Sequence, residues 1–85
     1  MPRYFFNVHD GHSEIDNKGT ELPDTNYARR EAIRLSGNIL DNEAKTIALG
    51  EEWRMEVVDD RGLILFRFDF TTTVSAAVPV NSSKP

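Results

Sequence analysis

Two histidines and an aspartate lie within four residues, in the segment His9-Asp10-Gly11-His12. Imidazole nitrogens and carboxylate oxygens are metal ligands, and a metal site needs three or four of them converging on one point. The spacing matches no standard metal motif, and Asp10-Gly11-His12 is also ordinary turn sequence. We therefore keep His9, Asp10 and His12 as metal candidates beside the favoured alternative of a solvated polar turn. Three downstream carboxylates could complete a ligand set: Glu14, Asp16 and Glu21.

The sequence contains no other pattern typical of catalysis. It has no cysteine, which excludes a thiolate metal site, a cysteine nucleophile and a disulfide framework. Its serines and histidines form no nucleophile elbow or triad motif, and its isolated glycines form no phosphate-binding loop. Carboxylate pairs such as Asp59-Asp60 fall in turns, where like charges are usually solvated. We predict a non-enzymatic protein without a cofactor, and we name no catalytic residue.

Composition argues against two classes of partner. The 85 residues carry a net charge of −4, whereas a protein that binds phosphate backbones normally has a basic excess. The N-terminus has no secretory signal pattern, and the longest apolar run, Leu63 to Phe66, is far too short to span a bilayer. We expect a soluble, cytoplasmic protein that binds neither membranes nor, by its overall charge, nucleic acid.

Hydrophobic spacing predicts the elements that position these residues. Alternating apolar side chains predict long strands over residues 3–9, 52–58 and 63–72, with a short return strand over 13–16. Between the return strand and the strand over 52–58, apolar residues at helical spacing follow Pro23. A proline disfavours a helical conformation at the residue before it, so the helix should begin after Leu22.

The predicted helix begins at Asp24 or Thr25, whose side chains can accept hydrogen bonds from free amides of the first turn. We expect it to end near Ala44, with Gly50 as its latest stop. The element order β-β-α-β-β then predicts an α+β fold, a four-stranded antiparallel-rich sheet with one helix on one face. We expect a single domain over residues 1–73 and a disordered tail over 74–85.

The last two strands form a predicted hairpin around the turn sequence of residues 59–62. Pairing of Val58 with Leu63 keeps apolar residues on one face and brings Val57 beside Ile64. One layer of side chains between sheet and helix forms the predicted core: Tyr4, Phe6, Val8, Ala32, Leu35, Ile39, Trp53, Met55, Val57, Ile64, Phe66 and Phe68.

One helix covers one face of such a sheet, and we call the uncovered side the open face. Its apolar side chains could form an association surface for a second copy or another protein. Nucleic acid could instead stack on this face, but the face offers one aromatic ring, and Arg54 and Arg67 are balanced by Glu56 and Asp69. The predicted interface consists of Phe5, Val58, Leu63, Leu65, Arg54 and Arg67.

Four segments are distinctive in combination: Met1 to Gly11, Gly19 to Asp24, Ala28 to Ala32 and Trp53 to Val57. Together they resemble a family of small stand-alone bacterial proteins catalogued as a domain of unknown function. The resemblance covers roughly residues 2 to 70. It implies a compact domain, and it brings no activity, cofactor or catalytic residue.

These residues do not determine a biochemical function. Our leading hypothesis is a non-catalytic interaction or regulatory module, self-associating as a homodimer through the open face. The alternatives are a nucleic-acid-associated regulator and a metal-binding or enzymatic role at the turn from His9 to His12.

Overall fold

The computed structural model describes residues 1–47 and 52–78. The predicted latest helix stop at Gly50 and residues 79–85 of the predicted tail lie outside this description, so the tail and the boundary at residue 73 stay predictions. In the described part the elements are, in chain order, β1 (Arg3–His9), β2 (Ser13–Glu14), β3 (Thr20–Glu21), α1 (Thr25–Asn42), β4 (Trp53–Val58) and β5 (Ile64–Phe70).

The predicted α+β fold is confirmed: within residues 1–47 and 52–78, one helix accompanies an antiparallel sheet with the strand order β2-β1-β4-β5. The sheet has a fifth, two-residue strand, because β3 also pairs with β1. The return strand ends at Glu14, earlier than expected. Asp16 explains the break, since its backbone N–H bonds to Asn7 Oδ1 and its own carboxylate accepts the Phe6 N–H.

Helix α1 begins where the sequence predicts. The Asp24 side chain accepts a hydrogen bond from the Tyr27 N–H at 3.0 Å, which satisfies a free amide of the first turn. The helix ends at Asn42, with the Glu43 N–H bonded to the Ile39 carbonyl. Its small buried residues let it lie close against β4: Ala28, Ala32 and Ser36.

The core lies between α1 and the side of the sheet that carries alternate residues of β1 and β4. Its buried members are Tyr4, Phe6, Val8, Ala28, Ala32, Trp53, Met55 and Val57. Around them pack half-buried apolar side chains: Leu22, Leu35, Ile39, Leu40, Ile47, Leu65, Phe66 and Phe68. The predicted core is thus confirmed except for Ile64, which is 58% exposed.

The position of Ile64 follows from the register of the last hairpin, which we predicted incorrectly. Ile64 pairs with Val58, and Val57 pairs instead with Phe66, because a β-bulge inserts Leu65 between the two pairs. The turn closes on Asp59, whose N–H bonds to the Leu63 carbonyl.

If β5 continued from this turn without the bulge, Met55 would lie opposite Arg67, and apolar and charged residues would share one face of the sheet. The extra residue in the bulge shifts the pairing by one position, so that Met55 lies opposite Phe68.

Candidate functional site on the sheet

The turn from His9 to His12 is closed by its own hydrogen bonds. His9 Nδ1 lies 2.9 Å from Ser13 Oγ, and the Asp10 N–H donates to the His12 carbonyl at 3.0 Å. In residues 1–47 and 52–78, no group of three or more His, Asp or Glu side chains is arranged to hold a metal ion. The three metal candidates therefore lie in one turn but do not converge on one point with further ligands.

His9 instead joins a chain of charges across the open face. Its Nε2 lies 3.3 Å from Glu56 Oε1, at ion-pair distance when the ring is protonated but outside hydrogen-bond geometry. The other oxygen of Glu56 accepts a hydrogen bond from Arg54 Nε at 3.0 Å. Glu52 pairs with Arg54 at its far end. The hydrogen bond to Glu56, together with the charge of both carboxylates, raises the pKa of Arg54 although partial desolvation opposes it.

The loop between β2 and β3 covers another part of the open face. A Cβ atom on Gly19 would lie 2.8 Å from both Arg3 Cγ and Phe5 Cε2, so the loop backbone packs directly on the Phe5 ring. Arg3 Nη1 holds the loop by donating to the Lys18 carbonyl at 2.7 Å. Phe5 is consequently half-buried beneath the loop.

Asp16 fixes this loop. Burial raises the pKa of its carboxyl, but hydrogen bonds from the Gly19, Phe6 and Lys18 N–H groups and the charge of Arg3 outweigh burial and hold the pKa below its usual value. The carboxylate also occupies the place of a strand partner beside Phe6, between the two short strands β2 and β3.

The predicted interface residues do not form one apolar patch. Val58 is half-buried, and Leu65 packs against the core cluster rather than lying free on the open face. Arg54 lies within the charge network. Among the six predicted residues, only Leu63 and Arg67 are exposed.

A small cleft lies at the opposite end of β4 from the hairpin turn. Its volume is about 220 Å³, below the roughly 300–1,000 Å³ typical of small-molecule sites. Trp53 lies at this cleft, but its buried indole Nε1 has no hydrogen-bond partner among the described residues. The lining is mainly polar: Asp10, His12, Glu43, Thr46, Ile47, Glu52 and Trp53. We assign it no ligand.

The outer edge of β5, here called the β5 edge, is the feature that the sequence reasoning missed. Within the described residues β5 pairs with β4 alone, so one side of a seven-residue strand is left without a sheet neighbour. Exposed apolar side chains lie along it and beyond both of its ends: Leu63, Ile64, Phe70 and Val74. The sequence does contain a signal for this surface. The alternation of Phe66 and Phe68 continues to Phe70, which lies outside the core cluster.

The opposite edge of the sheet is better protected. β2 and β3 pair in succession along the side of β1 that faces away from β4, and Asp16 fills the gap between them. Very short edge strands discourage pairing with another chain. The two edges of this sheet therefore differ in their capacity to accept a further strand.

No helix in the described ranges is both long and apolar enough to cross a membrane. Comparison with curated proteins found no match, and comparison with solved structures also found none. The sequence profile of one family, described as a domain of unknown function (DUF6894), matches residues 3–71. This range runs from the first residue of β1 to just beyond the end of β5 and includes α1. The chain therefore belongs to the DUF6894 family.

Proposed function

We propose that this protein is a non-catalytic protein-interaction module whose binding element is the β5 edge. The supporting observation is that β5 has a sheet neighbour on one side only, in the described part of the chain, and carries exposed apolar side chains. An extended partner segment can add to such an edge, with main-chain hydrogen bonds giving affinity and alternate side chains giving specificity.

The open face offers less for this purpose. Its centre is occupied by the ion pairs of Glu56 with His9 and Arg54, and the Gly19 loop covers Phe5. Binding there would have to desolvate paired charges, which opposes association. We therefore move the predicted interface from the open face to the β5 edge and retain Leu63 and Arg67 from the original set.

Neither alternative function gains support from a particular contact. The arginines expected to bind nucleic acid are both ion-paired, Arg54 with Glu56 and Glu52, and Arg67 with Asp69. Location in the cytoplasm remains part of the proposal, and fractionation of cells that express a tagged chain tests it.

A photo-crosslinking experiment tests the interaction module. Phe70 on β5 and Tyr27 on α1 are aromatic and similarly exposed, at 41% and 47%, so a benzophenone side chain at Tyr27 is a matched control. We expect irradiation in cells to give a discrete crosslinked product from position 70 and none from position 27.

Proline at Asp69 should abolish that product. Proline removes the main-chain N–H at position 69. An edge strand tolerates this loss where the N–H points away from the neighbouring strand. A product that persists in Asp69→Pro, or the absence of any product from position 70, would contradict the proposal.

A further inference from the structure

We infer that the partner of the β5 edge is the β5 edge of a second copy, paired antiparallel about a two-fold axis at Phe68. This inference rests on the proposed function and names its partner. Such a pairing extends one sheet across two molecules and makes the same surface serve both sides of the interface.

The direction of the backbone groups on β5 follows from hydrogen bonds elsewhere in the sheet. Phe6 donates its N–H to Asp16, away from β4. In an antiparallel ladder the residues of a strand direct their main-chain groups alternately to either side. Because the main chain of Phe6 points away from its β4 partner Val57, the main chain of Val57 points toward β5. Val57 in turn pairs with Phe66, so the main chain of Phe66 points toward β4. By alternation along the strand, the main chain of Phe68 and Phe70 also points toward β4. The N–H and C=O groups of Arg67 and Asp69 therefore point outward.

Symmetry then limits the register. A two-fold axis perpendicular to the sheet keeps each face on its own side, so a residue pairs only with residues of the same face. Phe66, Phe68 and Phe70 share the helix face with their β4 partners, and Arg67 and Asp69 share the open face. The axis must consequently pass between a residue and its own symmetry copy.

Beyond the bulge at Leu65 the strand is regular from Phe66 to Phe70, and charge selects one centre from the three interior residues of this stretch. An axis at Arg67 sets two guanidinium groups opposite each other, and an axis at Asp69 does the same with two carboxylates. Like charges directly opposite are destabilising, whereas opposite charges stabilise the pair. An axis at Phe68 sets each Arg67 opposite an Asp69 of the other copy. Because Arg67 Nε already lies 3.1 Å from Asp69 within each chain, four charges of alternating sign then meet.

The same register also fits the aromatic side chains and the main chain. Phe68 lies opposite its own copy, and each Phe66 lies opposite a Phe70 of the other chain. Phe70 is 41% exposed and Phe66 and Phe68 are only half-buried, so the ring row has apolar surface left to cover. The outward N–H and C=O groups of Arg67 and Asp69 meet as hydrogen-bonded pairs.

Charge exchange tests this register without depending on the fold of one variant. Arg67→Asp sets carboxylates opposite each other twice across the axis, and Asp69→Arg does the same with guanidinium groups. We expect each single variant to dimerise with a dissociation constant larger by on the order of tenfold or more in sedimentation experiments. The double variant, with the charges exchanged, should recover wild-type dimerisation.

The decisive sample is an equimolar mixture of the two single variants. Each chain then presents only one sign of charge, and the pairs across the axis become opposite, so we expect a heterodimer as stable as the wild-type dimer. Circular dichroism of each variant checks that it is folded. Single variants that dimerise like wild type, or a mixture that stays monomeric, would overturn the register.

A cysteine at the axis provides a second test. The chain has no other cysteine, so Phe68→Cys can form only an intermolecular disulfide. Facing residues whose main chain points away from the partner have Cα atoms about 4.5 Å apart, within disulfide reach. We expect rapid oxidation to a covalent dimer for Phe68→Cys and none for Asn38→Cys on the exposed side of α1. Equal crosslinking of both variants would count against the axis at Phe68.

Failure of this inference is distinguishable from failure of the proposed function. A crosslinked product from position 70 at twice the 9.7 kDa chain mass supports the second copy. A heavier discrete product, with wild-type protein monomeric at millimolar concentration, keeps the interaction module and overturns the dimer. A monomer without any product overturns both.

Discussion

Asp16 shows how one side chain can replace part of a strand. Its carboxylate accepts hydrogen bonds from the N–H groups of Phe6, Lys18 and Gly19, which belong to β1 and to the loop beside it. These bonds stabilise the ionised form. Asp16 therefore contributes both to the pH dependence of folding and to the protection of the sheet edge at β1.

The lowered pKa of Asp16 predicts a direction for acid unfolding. In the unfolded chain the carboxyl titrates near the ordinary value of 3.8, and in the folded protein below it. The folded state therefore binds fewer protons, and the stabilisation present above 3.8 is lost as the pH falls through the folded pKa. The pKa of Asp59 is lowered too, chiefly by the Leu63 N–H, and acts in the same direction.

We expect Asp16→Asn to be less stable than wild type at neutral pH and to lose less stability on acidification. The amide keeps one acceptor but sets an NH₂ donor against an N–H group. Urea unfolding at neutral pH and at acid pH measures both effects. Asp60→Asn is the control, because Asp60 is an exposed turn residue without a side-chain hydrogen bond in the described structure. An acid loss of stability that is equal in the two variants would contradict this role for Asp16.

Gly19 and Gly62 separate backbone strain from steric contact. Both have positive φ, at 71° and 86°, but an added Cβ would strike Arg3 and Phe5 only at Gly19. We expect Gly62→Ala to cost about 1 kcal/mol and Gly19→Ala about 2–4 kcal/mol, measured by urea unfolding. Equal losses would show that the loop does not pack on Phe5 as described.

At the scale of elements, the start of α1 depends on one cap. We expect Asp24→Ala to lower the free energy of unfolding by about 0.5–2 kcal/mol, because the Tyr27 N–H loses its acceptor. Asp24→Asn keeps a capping oxygen and should lie close to wild type. Thermal unfolding followed by circular dichroism measures both variants, and a loss of equal size in the two would assign the effect to charge instead.

The bulge at Leu65 predicts which hairpin positions tolerate truncation. Met55 is 1% exposed and Ile64 is 58% exposed. We expect Met55→Ala to cost about 2–5 kcal/mol and Ile64→Ala less than about 1 kcal/mol at protein concentrations below any dimerisation. A large cost at Ile64 would favour the unbulged register that the sequence had suggested.

The same hairpin illustrates what the sequence could and could not predict. Period-two spacing was sufficient for β1, β4 and β5, and the Asp24 cap was sufficient for the start of α1. Register could not be derived from spacing, since a two-residue shift keeps every apolar residue on the same face. It depends on how Asp59 closes the turn, and the bulge that follows compensates for that closure.

The candidate site was harder to predict because it depends on which parts of the sheet surface are covered by the rest of the chain. The sequence indicated which side chains share the open face, but loop packing on Phe5 and the pairing of Glu56 with His9 and Arg54 are long-range contacts. Strand order was also required, since the β5 edge lacks a neighbour among the described residues only because β5 lies last in the sheet.

At the scale of the whole molecule, a dimer predicts that stability depends on concentration. Mass action stabilises a folded dimer relative to two unfolded chains. With an unfolding enthalpy of roughly 0.7 kcal/mol per residue, we expect the thermal midpoint to rise by about 4 °C for each tenfold increase in protein concentration. Arg67→Asp should remove this rise, and a wild-type midpoint that does not change with concentration would contradict the dimer.

The protection of β1 by β2, β3 and Asp16 has a consequence for how far assembly can proceed. In the proposed dimer the β5 edges of the two copies pair with each other, and the described part of the chain offers no second long edge strand to a further copy. Growth then terminates at two molecules instead of running on into a fibre. Shortening the segment from Ser13 to Glu21 would uncover the second end, and the same chain would then acquire the means to polymerise.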